Sequence, residues 1–90
     1  MIYNKNFKIN LDCLSEYIST FDESLLKEDM LQLEYKNYII DFGFYSNQFI
    51  LYIIKDNNWE NTIKKEYINN INNINSIINK YCNDIVQYNI

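Results

Sequence analysis

Histidine is absent from this 90-residue chain, which removes the usual neutral-pH acid–base residue and the commonest metal ligand together. With a single glycine, Gly43, there is no glycine-rich phosphate loop. Proline is missing, no linker divides the chain, and no repeat of solenoid length appears, so residues 1–90 are read as one domain. The two cysteines, Cys13 and Cys82, lie far apart and in no metal-ligand spacing. Each falls on or beside the apolar face of a predicted helix, where a free thiol behaves as a small buried hydrophobe. A disulfide between those helices is the alternative, and it needs an oxidising compartment. No run approaches the ~18 apolar residues of a membrane span, and Met1–Asn10 lacks the apolar core of a signal peptide. The expectation is a cytoplasmic protein without metal, cofactor or membrane. Basic charge is also short: 12 acids stand against 8 lysines, a net charge of −4. A protein that neutralises phosphates needs a basic stripe, so nucleic acid is not the expected partner.

What the chain has is apolar and aromatic. Hydrophobic residues make up 48%, with nine Tyr and five Phe, enough for a packed core and against global disorder. The weight of Asn, Ile, Lys and Tyr is what an AT-rich gene encodes, so many surface asparagines are polar filler. The chain is organised around Met30–Asp56, where three runs read as strands: Leu31–Tyr35, Tyr38–Tyr45 and Gln48–Lys55. Lys36-Asn37 and Ser46-Asn47 are two-residue polar breaks with the spacing of tight hairpins, and Asn tolerates the positive φ of such turns. The run Phe49–Ile54 is apolar on both faces and belongs inside the sheet.

On the N-terminal side, Met1–Ile9 alternates loosely, as a short strand or an irregular lead-in. Asn10 is a candidate N-cap, and Leu11, Leu14, Tyr17, Ile18 and Phe21 follow at helical spacing. These predict a helix over residues 11–20, then an acidic connector with a helical turn near Leu25-Leu26. On the C-terminal side, Thr62–Tyr67 reads as a fourth, edge strand whose Lys64-Lys65 pair discourages sheet-to-sheet association. Residues 69–88 place Ile71, Ile74, Ile77, Ile78, Tyr81, Cys82 and Ile85 at helical steps. The architecture that satisfies these elements is α+β, a four-stranded antiparallel meander flanked by N- and C-terminal helices in the order α-β-β-β-β-α. Two helices cover one face of a small sheet. The other exposes some of Ile39, Asp41, Tyr45, Ile50, Tyr52 and Ile54 unless the N-terminal segment or a homodimer mate covers it.

No Ser or Cys has a His to activate it. Carboxylate pairs occur in polar connectors, where solvated charge is ordinary. A Glu–Tyr pair can do acid–base work without His, but the sequence singles none out; no catalytic residue is assigned and the expectation is a non-enzyme. The candidates are contact residues. Asp41, two residues from Gly43, interrupts an apolar strand, either at a bulge or as a partner contact. Trp59 is either a lid on the core or a ligand platform. Residues 1–34 hold seven acids against three lysines while residues 35–90 balance five against five. Asp12, Glu16, Asp22, Glu23, Glu28 and Asp29 therefore form an acidic ledge, either a solvated surface or a docking face for a basic protein.

The runs Tyr38–Tyr45 and Phe49–Asp56, followed by Trp59-Glu60-Asn61, resemble small bacterial immunity proteins of polymorphic and contact-dependent growth inhibition toxin systems. Those often carry an Asp-aromatic/Val-Gly-aromatic-Tyr strand, a second strand and a Trp-containing turn. The resemblance implies a cytoplasmic inhibitor that binds a cognate, basic toxin domain, often a nuclease, in a stoichiometric complex. It assigns no contact residues. From the residues themselves, the partner-contact candidates are Asp12, Glu16, Asp22 and Glu23 on the ledge and Asp41, Tyr45, Tyr52 and Trp59 on the sheet side. A phage-encoded inhibitor of a host or defence enzyme and a homodimeric structural domain are the alternatives.

Overall fold

Two tight turns set the register of the sheet. In a computed structural model that describes all residues, Met1–Ile90, strands β2 (Leu31–Tyr35), β3 (Tyr38–Tyr45) and β4 (Gln48–Lys55) occupy the three predicted runs residue for residue. The β3–β4 turn places both Ser46 (φ 49°) and Asn47 (φ 66°) in the left-handed region, which matches the right-handed twist of the flanking strands. In the β2–β3 turn it is Lys36 (φ 54°) that takes the positive φ. Pairing then runs without interruption from Tyr35↔Tyr38 to Leu31↔Phe42 and from Tyr45↔Gln48 to Tyr38↔Lys55.

The sheet has five antiparallel strands in the order β1-β2-β3-β4-β5, one more than expected. The added strand, β1 (Lys8–Asp12), takes Leu11 from the predicted first helix. It pairs with the otherwise free edge of β2, from Lys8↔Glu34 to Asp12↔Leu31, with a register shift between Ile9 and Leu11. Asn10 is accordingly no helix cap: its side-chain amide donates to Gln32 Oε1 (3.1 Å) and Glu34 Oε1 (3.0 Å). Helix α1 is short, Leu14–Thr20. Asp12 closes its first turn instead, accepting from the Ser15 backbone N–H (3.0 Å) and hydroxyl (2.7 Å). The connector forms one 3₁₀ turn, Glu23–Leu25. Strand β5 runs Lys64–Ile68 and forms the other edge, and a 3₁₀ turn, Ile71–Asn73, leads into α2, Ile74–Tyr88.

A single cluster of 17 buried residues fills one side of the sheet. Leu31 and Leu33, Ile40 and Phe42, and Leu51 and Ile53 face it from the central strands. Leu14 and Tyr17 meet them from α1, and Ile74, Ile78, Tyr81, Cys82 and Ile85 from α2. Aromatic packing seals the α1 end, where the Phe49 ring lies 5.6 Å from Phe42 and 5.9 Å from Tyr17. Both cysteines are free thiols, Cys82 buried and Cys13 partly exposed. Burial pushes the Cys82 thiol up to about 12. No helix is long and apolar enough to cross a membrane.

The opposite side carries no helix. Register places Gln32, Glu34, Ile39, Asp41, Gly43, Tyr45, Ile50, Tyr52, Ile54, Lys65 and Tyr67 on it. Of the six residues expected to be exposed there, Ile39, Tyr45 and Tyr52 are partly exposed, whereas Asp41, Ile50 and Ile54 lie on this face but are buried.

Candidate functional site

One cross-strand row defines the centre of the open face: Gln32 of β2, Asp41 of β3, Tyr52 of β4 and Lys65 of β5 lie side by side. Alternation along each strand places the four on the same face. Asp41 is the only buried charged residue of the protein, at 0% exposure. Its carboxylate accepts a short bond from the Tyr45 hydroxyl (2.7 Å, to Oδ1) and a long one from the Gln32 amide (3.4 Å, to Oδ2). The Tyr45 and Tyr52 rings meet edge to face at 5.5 Å. At the end of the row the Lys65 ammonium sits 5.9 Å from the Tyr52 ring centroid and 5.4 Å from that of Tyr67. The one ion pair in the molecule joins Lys64 and Glu66 (3.9 Å), so no lysine reaches Asp41.

Electrostatics follow from this placement. Burial raises the Asp41 carboxyl above its ordinary value; the hydrogen bonds from Tyr45 and Gln32 oppose the shift and the negative charge of Asp29 adds to it. Burial also drives the Tyr45 hydroxyl far above 10, and its bond to Asp41 and the nearby acids push it further. Tyr45 therefore keeps its proton at physiological pH and is able to donate to Asp41.

No bulge falls at Asp41: β3 pairs without a register shift with β2 from Tyr38 to Phe42 and with β4 from Tyr38 to Tyr45. Gly43 is required for another reason. Residues 27–30 cross its outer side, held by Phe44 N–H to Lys27 O (2.8 Å) and Met30 N–H to Phe42 O (3.0 Å). The Glu28 carbonyl occupies the place that a Cβ on Gly43 would take. The same crossing carries the exposed side chains of Glu28 and Asp29 to the rim of the open face.

The expected ledge is thereby divided. Asp12 is partly buried and committed to Ser15. Glu16 is exposed on α1, and Glu23 is exposed in the 3₁₀ turn. Asp22 caps that turn by accepting from the Ser24 backbone N–H (3.0 Å), which holds its carboxyl below the ordinary 3.8. The sheet candidates Asp41, Tyr45 and Tyr52 do come together, whereas Trp59 stands apart in the β4–β5 connection, 47% exposed. Its exposure argues against the lid reading. Sequence reasoning missed Gln32 and Lys65. Gln32 was within reach by counting back from the Lys36-Asn37 turn, but Lys65 depends on a register that the long β4–β5 connection leaves open.

The surface has two shallow recesses. One, of about 330 Å³, is lined by Glu34, Lys36, Asn37, Ile39, Asp56 and Asn57. The other, of about 220 Å³, lies between Phe44, Phe49 and Tyr67. No group of three or more His, Cys, Asp or Glu side chains is placed to hold a metal ion. Comparison with known proteins gave no match to any family model, curated protein or solved structure.

Proposed function

We propose that this protein is a toxin-neutralising binding module, an immunity-type inhibitor that acts by forming a stoichiometric complex with a basic toxin domain. The observation that carries the reading is the juxtaposition of an open, tyrosine-bearing sheet face with an acidic rim. Tyr45, Tyr52 and Tyr67 supply rigid amphipathic contact area. Glu28 and Asp29 border them, and the exposed Asp22 and Glu23 extend the negative charge along the connector. Such a surface steers a cationic partner and rejects an acidic one. The resemblance of Tyr38–Asn61 to immunity proteins names the class of partner, a toxin domain, with a nuclease as the first candidate.

The test is co-purification of the protein with the toxin domain encoded beside it, followed by light scattering and titration calorimetry. A 1:1 complex that abolishes toxin activity at equimolar protein is expected. No complex, or turnover of the toxin by substoichiometric protein, refutes the proposal. Reversing Asp22 and Glu23 to Lys is expected to slow association roughly tenfold at low salt, the range of electrostatic steering; both side chains are exposed, so the loss to folding is confined to the 3₁₀-turn cap that Asp22 supplies.

A further inference from the structure

Asp41 is an expensive residue in the free protein. A carboxylate taken from water loses hydration that only a counter-charge or several hydrogen bonds replace. Here it is wholly buried, with one short bond from Tyr45 and one long bond from Gln32. No cation stands near. Lys65 is across Tyr52 in the same row, its ammonium held over the tyrosine rings, and the other charge felt at Asp41 is the like charge of Asp29. A neutral side chain of the same shape would still accept from Tyr45 and would avoid this penalty, giving up only the long bond from Gln32. The charge is also on the side of the sheet that carries no helix, beside the acidic rim, and the partly exposed Tyr45 covers it. Groups that weaken a fold and sit at an open surface are those whose compensation comes from outside.

The geometry points to Asp41 as the anchoring anion of the docking face, engaged by an arginine side chain of the basic partner once the Tyr45 hydroxyl swings off it. The inference rests on the binding reading above and specifies its chemistry. Arginine fits where lysine does not. Both carboxylate oxygens are held by a single exchangeable donor each, so a planar guanidinium can take both in a bidentate pair. The perpendicular Tyr45 and Tyr52 rings offer faces on which that plane stacks, a contact a compact ammonium makes less well. The rim acids Glu28 and Asp29 draw the cation in, and closure of the rings over it excludes water.

The experiment uses N-acetyl-arginine amide as the probe, titrated into ¹³C,¹⁵N-labelled protein, with the uncharged citrulline analogue as control. The arginine probe is expected to shift the amide signals of Gln32, Asp41, Tyr45 and Tyr52 at millimolar concentration and to lower the pH at which the Asp41 carboxyl ¹³C signal titrates. The citrulline analogue should do neither. Asp41→Asn should abolish the effect while remaining folded, and Tyr45→Phe, which removes the competing hydroxyl, should tighten it about threefold, the scale of one modest hydrogen bond. Shifts confined to Glu23, Glu28 and Asp29, equal responses to citrulline, or no response at all would overturn the anchor. With the toxin domain itself, Asp41→Asn should weaken binding about 30-fold or more through faster dissociation. An unchanged dissociation rate in an intact 1:1 complex refutes the anchor alone. Absence of any wild-type complex refutes the binding reading instead.

Discussion

Gly43→Ala should destabilise the protein by about 2–4 kcal/mol, although alanine has the better propensity for folded structure. The added methyl would coincide with the Glu28 carbonyl oxygen and lie 2.5 Å from its carbon. Both obstacles are backbone, so no change of side-chain rotamer relieves them, and residues 27–30 must lift away from β3. That movement lengthens or breaks Phe44 N–H to Lys27 O and Met30 N–H to Phe42 O. Met30 is fully buried, and a buried donor left unsatisfied costs about 1–3 kcal/mol. Overpacking where the segment does not move adds about 1–3 kcal/mol. Against this stands only a gain of about 0.4–1 kcal/mol from a less flexible unfolded chain. Urea denaturation measures the sum, and hydrogen exchange at the Met30 and Phe44 amides locates it. A loss under about 0.5 kcal/mol, the scale of an ordinary surface substitution, with protection of both amides unchanged, would refute the reasoning.

Three further outcomes are expected. Leu51→Ala and Ile78→Ala, at positions fully buried on facing elements, should each cost about 2–5 kcal/mol in chemical denaturation; values below about 0.5 kcal/mol for both would contradict the core assignment. Because burial raises the folded-state carboxyl of Asp41 above 3.8, the folded state holds its proton where the unfolded chain has released it. Its contribution is fully present below the unfolded value and is lost as pH rises through the folded one. Asp41→Asn should therefore gain on the wild type between acid and neutral pH, and a constant difference across that range would show that the buried charge carries no penalty. In the folded protein a thiol reagent should modify the half-buried Cys13 and spare Cys82, whose thiol is buried and pushed up to about 12, and reductant should leave the melting temperature unchanged. Rapid modification of both, or a reductant-dependent fall in melting temperature, would contradict the two free, unequal thiols.

What the chain determines by itself is local. Strands β2, β3 and β4 were legible to the residue because a period-two pattern and two-residue turns are complete within a few neighbours. Once those turns are counted, the faces follow, which is why Asp41, Tyr45 and Tyr52 could be placed together before any coordinates. The C-terminal helix was equally readable, since Ile74, Ile78, Cys82 and Ile85 repeat its period; it begins at Ile74 rather than Asn69, after Asn70 caps a 3₁₀ turn, Ile71–Asn73.

Tertiary structure decided the rest, and in each case through a contact between residues distant in sequence. Leu11 has helical spacing to Leu14 and Ile18, yet β2 offers an unpaired edge, and satisfying those backbone groups places Leu11 opposite Gln32. The predicted helix cap at Asn10 was lost with it. Gly43 looked like a relaxed backbone because the sequence does not say that Glu28 passes over it. The same crossing splits the acidic ledge, leaving Asp12 as a cap and carrying Glu28 and Asp29 to the open face. Asp41 was visible as an anomaly in an apolar strand. That it is buried without a cation depends on Tyr45 closing over it and on Lys65 resting against Tyr52 and Tyr67, and burial is a property of the assembled neighbours rather than of the residue.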